Sequence, residues 1–387
     1  MARPAPAKRQ ARRAGRAARG AVRGAFGSLV ALDAARPRHR RGGATAGAAA
    51  GAGMLVAISH WRSKDGAHPA GASTPASGHF ERPRILHECV RSLLELDVQP
   101  LVVVVITNEP ALTARDLRED FAAGSNQPSV SAVADVASAR LGGNEDRRIV
   151  VAGWRRSPTS WHGYHLPWAH KRLFRAGLSD DRFSHFLYLE DDLRFTAEAF
   201  SYRSRFREPL ALHGLLPGFV RYETRDGERF VVDQQRRQGV EESGRGHVVL
   251  REAGSGEVLF VSLENPYQGM YLLDRELLVE HLTGSPARSR VLSRGIRWPN
   301  GEHRMSALVR ERAAMGPILD AVPSGFRSRT VVPVHGGSGQ YVLDDACLIE
   351  HLAARFTREN TAFGSIRVDK LFADGVRPQL TGSSPRL

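Results

Sequence analysis

The chain has only two cysteines, Cys89 and Cys347, far apart in 387 residues. So few thiols exclude a disulfide framework and a thiolate zinc cluster, and they suit a reducing compartment such as the cytoplasm. No stretch approaches the roughly 18–20 apolar residues of a membrane span. The basic N-terminus is not followed by the compact Leu/Val-rich run of a signal peptide. Acid is scarce at that end: residues 1–43 hold twelve Lys/Arg against the single acid Asp33, which is +11 of the formal +14. The remaining +3 leaves the rest of the chain nearly balanced, so no nucleic-acid footprint is expected on the folded part.

Residues 1–53 also lack large apolar side chains, being mostly Ala, Arg, Gly and Pro. They cannot offset the entropy of ordering and read as a disordered basic tail. Such a tail allows peripheral contact with an anionic membrane surface; translation starting at Met54 would remove it. Residues 54–387 show no internal repeat and no linker, and one domain is expected there.

What is present is a series of short apolar runs. Met54–Ser59, Leu101–Ile106, Arg148–Ala152 and His185–Leu189 read as strands buried on both faces. Between them, Pro83 opens a helix with Ile85, Leu86, Cys89, Val90, Leu93 and Leu94 on one face, and 167–178 reads as a second helix. This alternation predicts an α/β domain on a mostly parallel sheet. Ligands of such sheets bind at the carboxyl ends of the strands. Three strand ends are polar: Ser59-His60-Trp61, Thr107-Asn108-Glu109 and Glu190-Asp191-Asp192. Downstream, Thr196 caps a helix to about His213, and 224–256 reads as a hairpin excursion. Further elements are a strand over 267–273, helices over 275–282, 302–315 and 348–358, and short strands at 331–334 and 366–368. The glycines at 336–339 read as a flexible loop.

Three adjacent carboxylates repel one another and need a counter-charge. A hard divalent cation, Mg²⁺ or Mn²⁺, supplies one and can bridge to phosphate oxygens. The segment HFLYLEDDLRFTAEAFSY resembles the metal-binding strand of glycosyltransferases with the GT-A fold, whose usual signature is Asp-x-Asp. Its Glu-Asp-Asp variant is most similar to the N-acetylglucosaminyltransferase I family. The resemblance implies a Rossmann-like nucleotide-diphospho-sugar transferase fold, with a donor half over 54–225 and an acceptor half over 226–387. It implies Asp192 as the cation ligand, with Glu190 and Asp191 contacting a UDP- or GDP-sugar donor. Ser59, His60, Trp61 and Asn108 then stand where base and ribose are held, and His351 is a candidate second cation ligand. Lys171 is a candidate phosphate contact, and 265–271 a candidate floor beneath a saccharide or glycolipid acceptor. An inverting transferase needs a carboxylate or His as the base that takes the acceptor proton; Glu311, between Arg310 and Arg312, is the candidate, with Glu302 and Asp320 as alternatives. Nucleotidyl transfer uses similar cation chemistry, but the segment after the first strand lacks the glycine cluster it needs. A non-catalytic binding protein is the third reading.

Overall fold

The computed structural model describes residues 53–61, 81–122, 128–141, 145–154, 166, 169–232, 247–252, 256–263, 268–283, 319–322, 325–328, 330–337, 340–354 and 364–372. The expected disordered tail (Gly53 apart), the helix over 302–315, and the candidates Glu302, Arg310, Glu311 and Arg312 lie outside these residues. Contacts divide the chain into units 1–48 and 49–387, and all described residues belong to the second.

The chain runs β1 (Gly53–His60), α1 (Glu81–Leu94), β2 (Leu101–Thr107), α2 (Pro110–Asp120), β3 (Ser129–Val133), β4 (Arg147–Gly153), α3 (His170–Gly177) and β5 (Phe183–Glu190). After the acidic triplet come β6 (Leu193–Arg194), α4 (Ala197–Ala211), β7 (Leu216–Pro217), β8 (Val220–Arg225), β9 (Glu228–Val231), β10 (His247–Glu252), β11 (Gly256–Ser262), β12 (Met270–Asp274) and α5 (Arg275–Thr283). The last described elements are β13 (Leu319–Val322), β14 (Gly325–Ser328), β15 (Thr330–Gly337), β16 (Gln340–Leu343), β17 (Leu348–His351) and β18 (Ile366–Arg367).

The principal sheet has the order β12-β5-β1-β2-β4-β3. All its pairs are parallel except β12 with β5. The expected α/β architecture, a Rossmann-like and mostly parallel sheet flanked by helices, is what the chain adopts. Every residue of β2 is buried, which explains its unbroken Leu-Val-Val-Val-Val-Ile run. The two sheet faces bury separate clusters. Val56, Ile58, Leu187 and Leu189 pack with Leu86, Cys89, Val90 and Leu93 of α1 and with Tyr202 and Phe206 of α4. Ala57, Phe186 and Tyr188 pack on the other side with Phe174 of α3 and Leu278 of α5. Each fully buried Leu or Phe stabilises by about 1.5–3 kcal/mol relative to exposure.

From β1 the chain proceeds to β2 on one side; from β4 it returns through α3 to β5 on the other side of β1. The strand order therefore reverses between β1 and β5, the switch point at which open α/β sheets leave a ligand crevice. Ser59 and Glu190 are in register there.

Two elements without a sequence signal join this frame. Edge strand β3 has no fully buried residue, so its Ser-Val-Ser-Ala-Val carries no two-faced apolar run, and the triplet follows the fifth strand rather than the fourth. Helix α2 begins on Pro110. Two expectations are overturned, and the first is that Leu348 onward is strand β17 rather than a helix. Leu348, Ile349, His351 and Leu352 imitate helical spacing. Pairing on both sides, parallel to β8 and antiparallel to β6, decides the conformation instead. Gly336 and Gly337, expected in a loop, are in β15 and pair with Tyr341 and Gln340 of β16.

Candidate functional site

The site grows from the switch point outward. Strand β5 delivers Glu190, and a turn over Asp191 and Asp192 leads into β6. β6 pairs with β17, matching Leu193 with His351, and the Leu352 amide donates to the Asp192 carbonyl at 2.7 Å. β17 in turn lies beside β8, Glu350 opposite Tyr222. A second sheet, β18-β9-β8-β17-β6, thus brings C-terminal side chains onto the triplet.

Each acid meets a different basic residue from a different strand. Glu190 Oε2 accepts from Arg221 Nη1 of β8 at 2.8 Å. Asp191 Oδ2 accepts from His60 Nδ1 of β1 at 2.5 Å. Asp192 Oδ2 lies 3.0 Å from His351 Nε2 of β17. His60, Arg221 and His351 are buried, while the side chain of Asp191 is 25% exposed and that of Asp192 14%. Within the chain, Arg221, His60 and His351 each stand against one of the three carboxylates. Arg221 had no sequence candidacy.

His351 is held from both sides. Its Nδ1–H donates to Glu223 Oε1 at 2.6 Å, and Glu223 is fully enclosed. Burial opposes the charged ring, but Asp192 and Glu223 outweigh it and raise the His351 pKa above the usual imidazole value. Behind Glu190 the backbone closes tightly. The Glu190 amide donates to the Gly269 carbonyl, and Gly269 sits at φ +64°. A Cβ there would stand 2.8 Å from Glu190 Oε2 and 2.9 Å from Arg221 Nη1. Gly269 thus lies against the ion pair; the neighbouring Gln268 accepts from the Phe219 amide.

The remaining candidates are spread over several elements. Ser59 is beside Glu190, and its hydroxyl is buried without a hydrogen-bond partner among the described residues. Trp61 packs on the α3 face of the sheet. Asn108 follows Thr107, which is in register with His60, so it stands at the carboxyl edge two strands from the triplet. Lys171 is buried rather than an exposed helical lysine. Burial, with Arg175 nearby, lowers its pKa to about 7. The adjacent His170 ring nitrogen bonds the Tyr271 hydroxyl, which also meets His281 Nε2 at 3.3 Å. His335 pairs with Asp344. Asp320 lies in β13.

No protein-family profile and no curated protein matches the chain. Among solved structures it is similar to a protein described as a nucleotide-diphospho-sugar transferase from Desulfovibrio desulfuricans, at 8% identity and TM-score 0.29, covering 67% of this chain and 76% of that one. It is also similar to 4-diphosphocytidyl-2C-methyl-D-erythritol synthase from Anaerococcus prevotii (9%, TM-score 0.26, 60% and 77%). A third is the inositol-1-phosphate CTP transferase from T. maritima (10%, TM-score 0.27, 61% and 75%). Likenesses this remote leave the chemistry to the chain's own side chains.

Two of those side chains, Arg221 and Glu223, were missed because β8 reads Val-Arg-Tyr-Glu-Thr-Arg. Charges at alternate positions resemble the solvent face of an amphipathic strand. Only the buried pairing with β17 turns that face inward. Among the described residues no group of three or more His, Cys, Asp or Glu side chains encloses a metal position. No described helix is long and apolar enough to cross a membrane.

Proposed function

We propose that the chain is a cation-dependent glycosyltransferase, moving a sugar from a UDP- or GDP-sugar to a saccharide or lipid-linked acceptor. The observation that carries this reading is the convergence of Asp192 and His351 at 3.0 Å beside the switch point, with Glu223 behind the ring. One carboxylate oxygen and one imidazole nitrogen fit Mn²⁺, or with less nitrogen affinity Mg²⁺, whose remaining positions are commonly filled by water and phosphate oxygens. Such a cation, when bound, stabilises the charge that develops on a departing diphosphate. The residues of the chain have separate tasks. Asp192 and His351 hold the cation. Asp191, oriented by His60, and Glu190, oriented by Arg221, face the donor; Ser59, Trp61 and Asn108 line the strand ends where base and ribose lie. Glu311 is the candidate to receive the acceptor proton.

Calorimetry with UDP, GDP and CDP, with and without Mn²⁺, tests the proposal. A Mn²⁺-dependent response to one of these, lost in Asp192→Ala and in His351→Ala, is the expected result. A well-folded protein that binds none of them rejects it. Nucleotidyl transfer is separated by its product: pyrophosphate released from a nucleoside triphosphate and a sugar phosphate would replace glycosyl transfer as the reading.

A further inference from the structure

The cation reading places Glu223 behind the His351 ring without giving it a task, and Glu223 is among the most enclosed charged residues described, at 0% exposure. A carboxylate stripped of water is tolerated only where close, well-aimed partners replace its hydration. Its 2.6 Å contact is with His351 Nδ1. The contact is built into the sheet rather than into a loop. β17 runs parallel to β8 with Glu350 opposite Tyr222, and His351 and Glu223 are the residues that follow these two on their strands. With the Nδ1 proton committed to Glu223, the ring cannot turn over, and Nε2 is left pointing at Asp192. A ligating imidazole is commonly oriented by a carboxylate on its other nitrogen, which also raises its basicity as a ligand.

We propose that Glu223 is a positioning residue that locks the His351 imidazole with Nε2 toward Asp192 and so sets the affinity of that pair for a divalent cation. This rests on the cation reading of the site. Its alternative is a merely structural carboxylate that offsets Arg221, two residues away on the same strand.

The experiment measures Mn²⁺ alone binding to the full chain, by loss of the electron paramagnetic resonance signal of free aqueous Mn²⁺, with circular dichroism confirming the fold of each variant. Glu223→Ala is expected to weaken Mn²⁺ binding by about 10–100-fold. Glu223→Gln, whose amide oxygen still accepts from Nδ1–H, is expected to stay within a few-fold of wild type. Should Glu223→Ala fail to fold, Glu223→Met keeps most of the volume while removing the acceptor. Wild-type affinity in Glu223→Ala or Glu223→Met, with binding lost in Asp192→Asn and His351→Ala, overturns the inference but leaves the cation reading standing. Glu223→Gln as weak as Glu223→Ala also overturns it, because charge rather than orientation would then matter. A wild-type chain that takes up no Mn²⁺ removes the cation reading and this inference together.

Discussion

Arg221 and Glu223 stand two residues apart on β8 and face the same way, Arg221 to Glu190 and Glu223 to His351. One strand therefore serves both ends of the acidic triplet. It neutralises the first acid with a guanidinium and backs the partner of the last acid with a carboxylate.

The Arg221–Glu190 pair is expected to matter for stability more than a surface ion pair does. Arg221 is nearly enclosed, with side-chain exposure of 4%, against 19% for Glu190. Arg221→Met takes the guanidinium away from a largely buried carboxylate, and we expect a loss on the order of 3 kcal/mol in urea unfolding. The double variant Arg221→Met/Glu190→Leu should recover most of it, since an apolar pair needs no counter-charge. A single-variant loss below about 1 kcal/mol would mark the pair as effectively solvated.

Gly269→Ala is expected to disturb that same pair. Its φ of +64° costs a residue with a Cβ about 1–2 kcal/mol by itself. The added methyl must also push aside Glu190 Oε2 and Arg221 Nη1. Gly227 is the control, with φ +78° and nothing within 4 Å of the point where a methyl would stand. Gly269→Ala should therefore lower the thermal midpoint more than Gly227→Ala. Equal losses would mean that the pair yields freely.

Lys171 makes a pH prediction. Its pKa is lowered to about 7, first by burial and then by Arg175, whereas an unfolded lysine titrates near 10.4. Between those values the unfolded chain binds the extra proton, so stability rises with pH across that window and falls as pH drops toward 7. The contribution approaches about 1.4 kcal/mol per pH unit for one proton. Lys171→Met should flatten that part of the stability profile and stabilise the protein at neutral pH. An unchanged alkaline slope in Lys171→Met would show that other groups carry it.

Much of the fold was legible because its central strands are apolar on both sides. Met54–Ser59, Leu101–Ile106 and the segment before Glu190 need no tertiary information to be read as interior strands. His60, Asp192 and His351 were also reachable, as polar residues at strand ends or beside acids. What could not be read is which element carries each partner. His351 was expected on a helix, since Leu348, Ile349 and Leu352 suit either conformation and only β8 and β6 decide between them. Arg221 and Glu223 look solvent-facing in isolation, because the strand that buries them lies far along the chain.

That separation has a consequence for how the protein comes to exist. Glu223 and His351 are 128 residues apart in sequence, and β17 is the inner strand that ties β6 to β8. A chain emerging from the ribosome N-terminus first presents its acidic triplet long before His351 has been synthesised. Until β17 docks, Asp192 lacks its imidazole partner. The Asp192–His351 pair can thus form only after β17 has been made, and a chain ending before β17 would carry Asp192 without the imidazole that faces it.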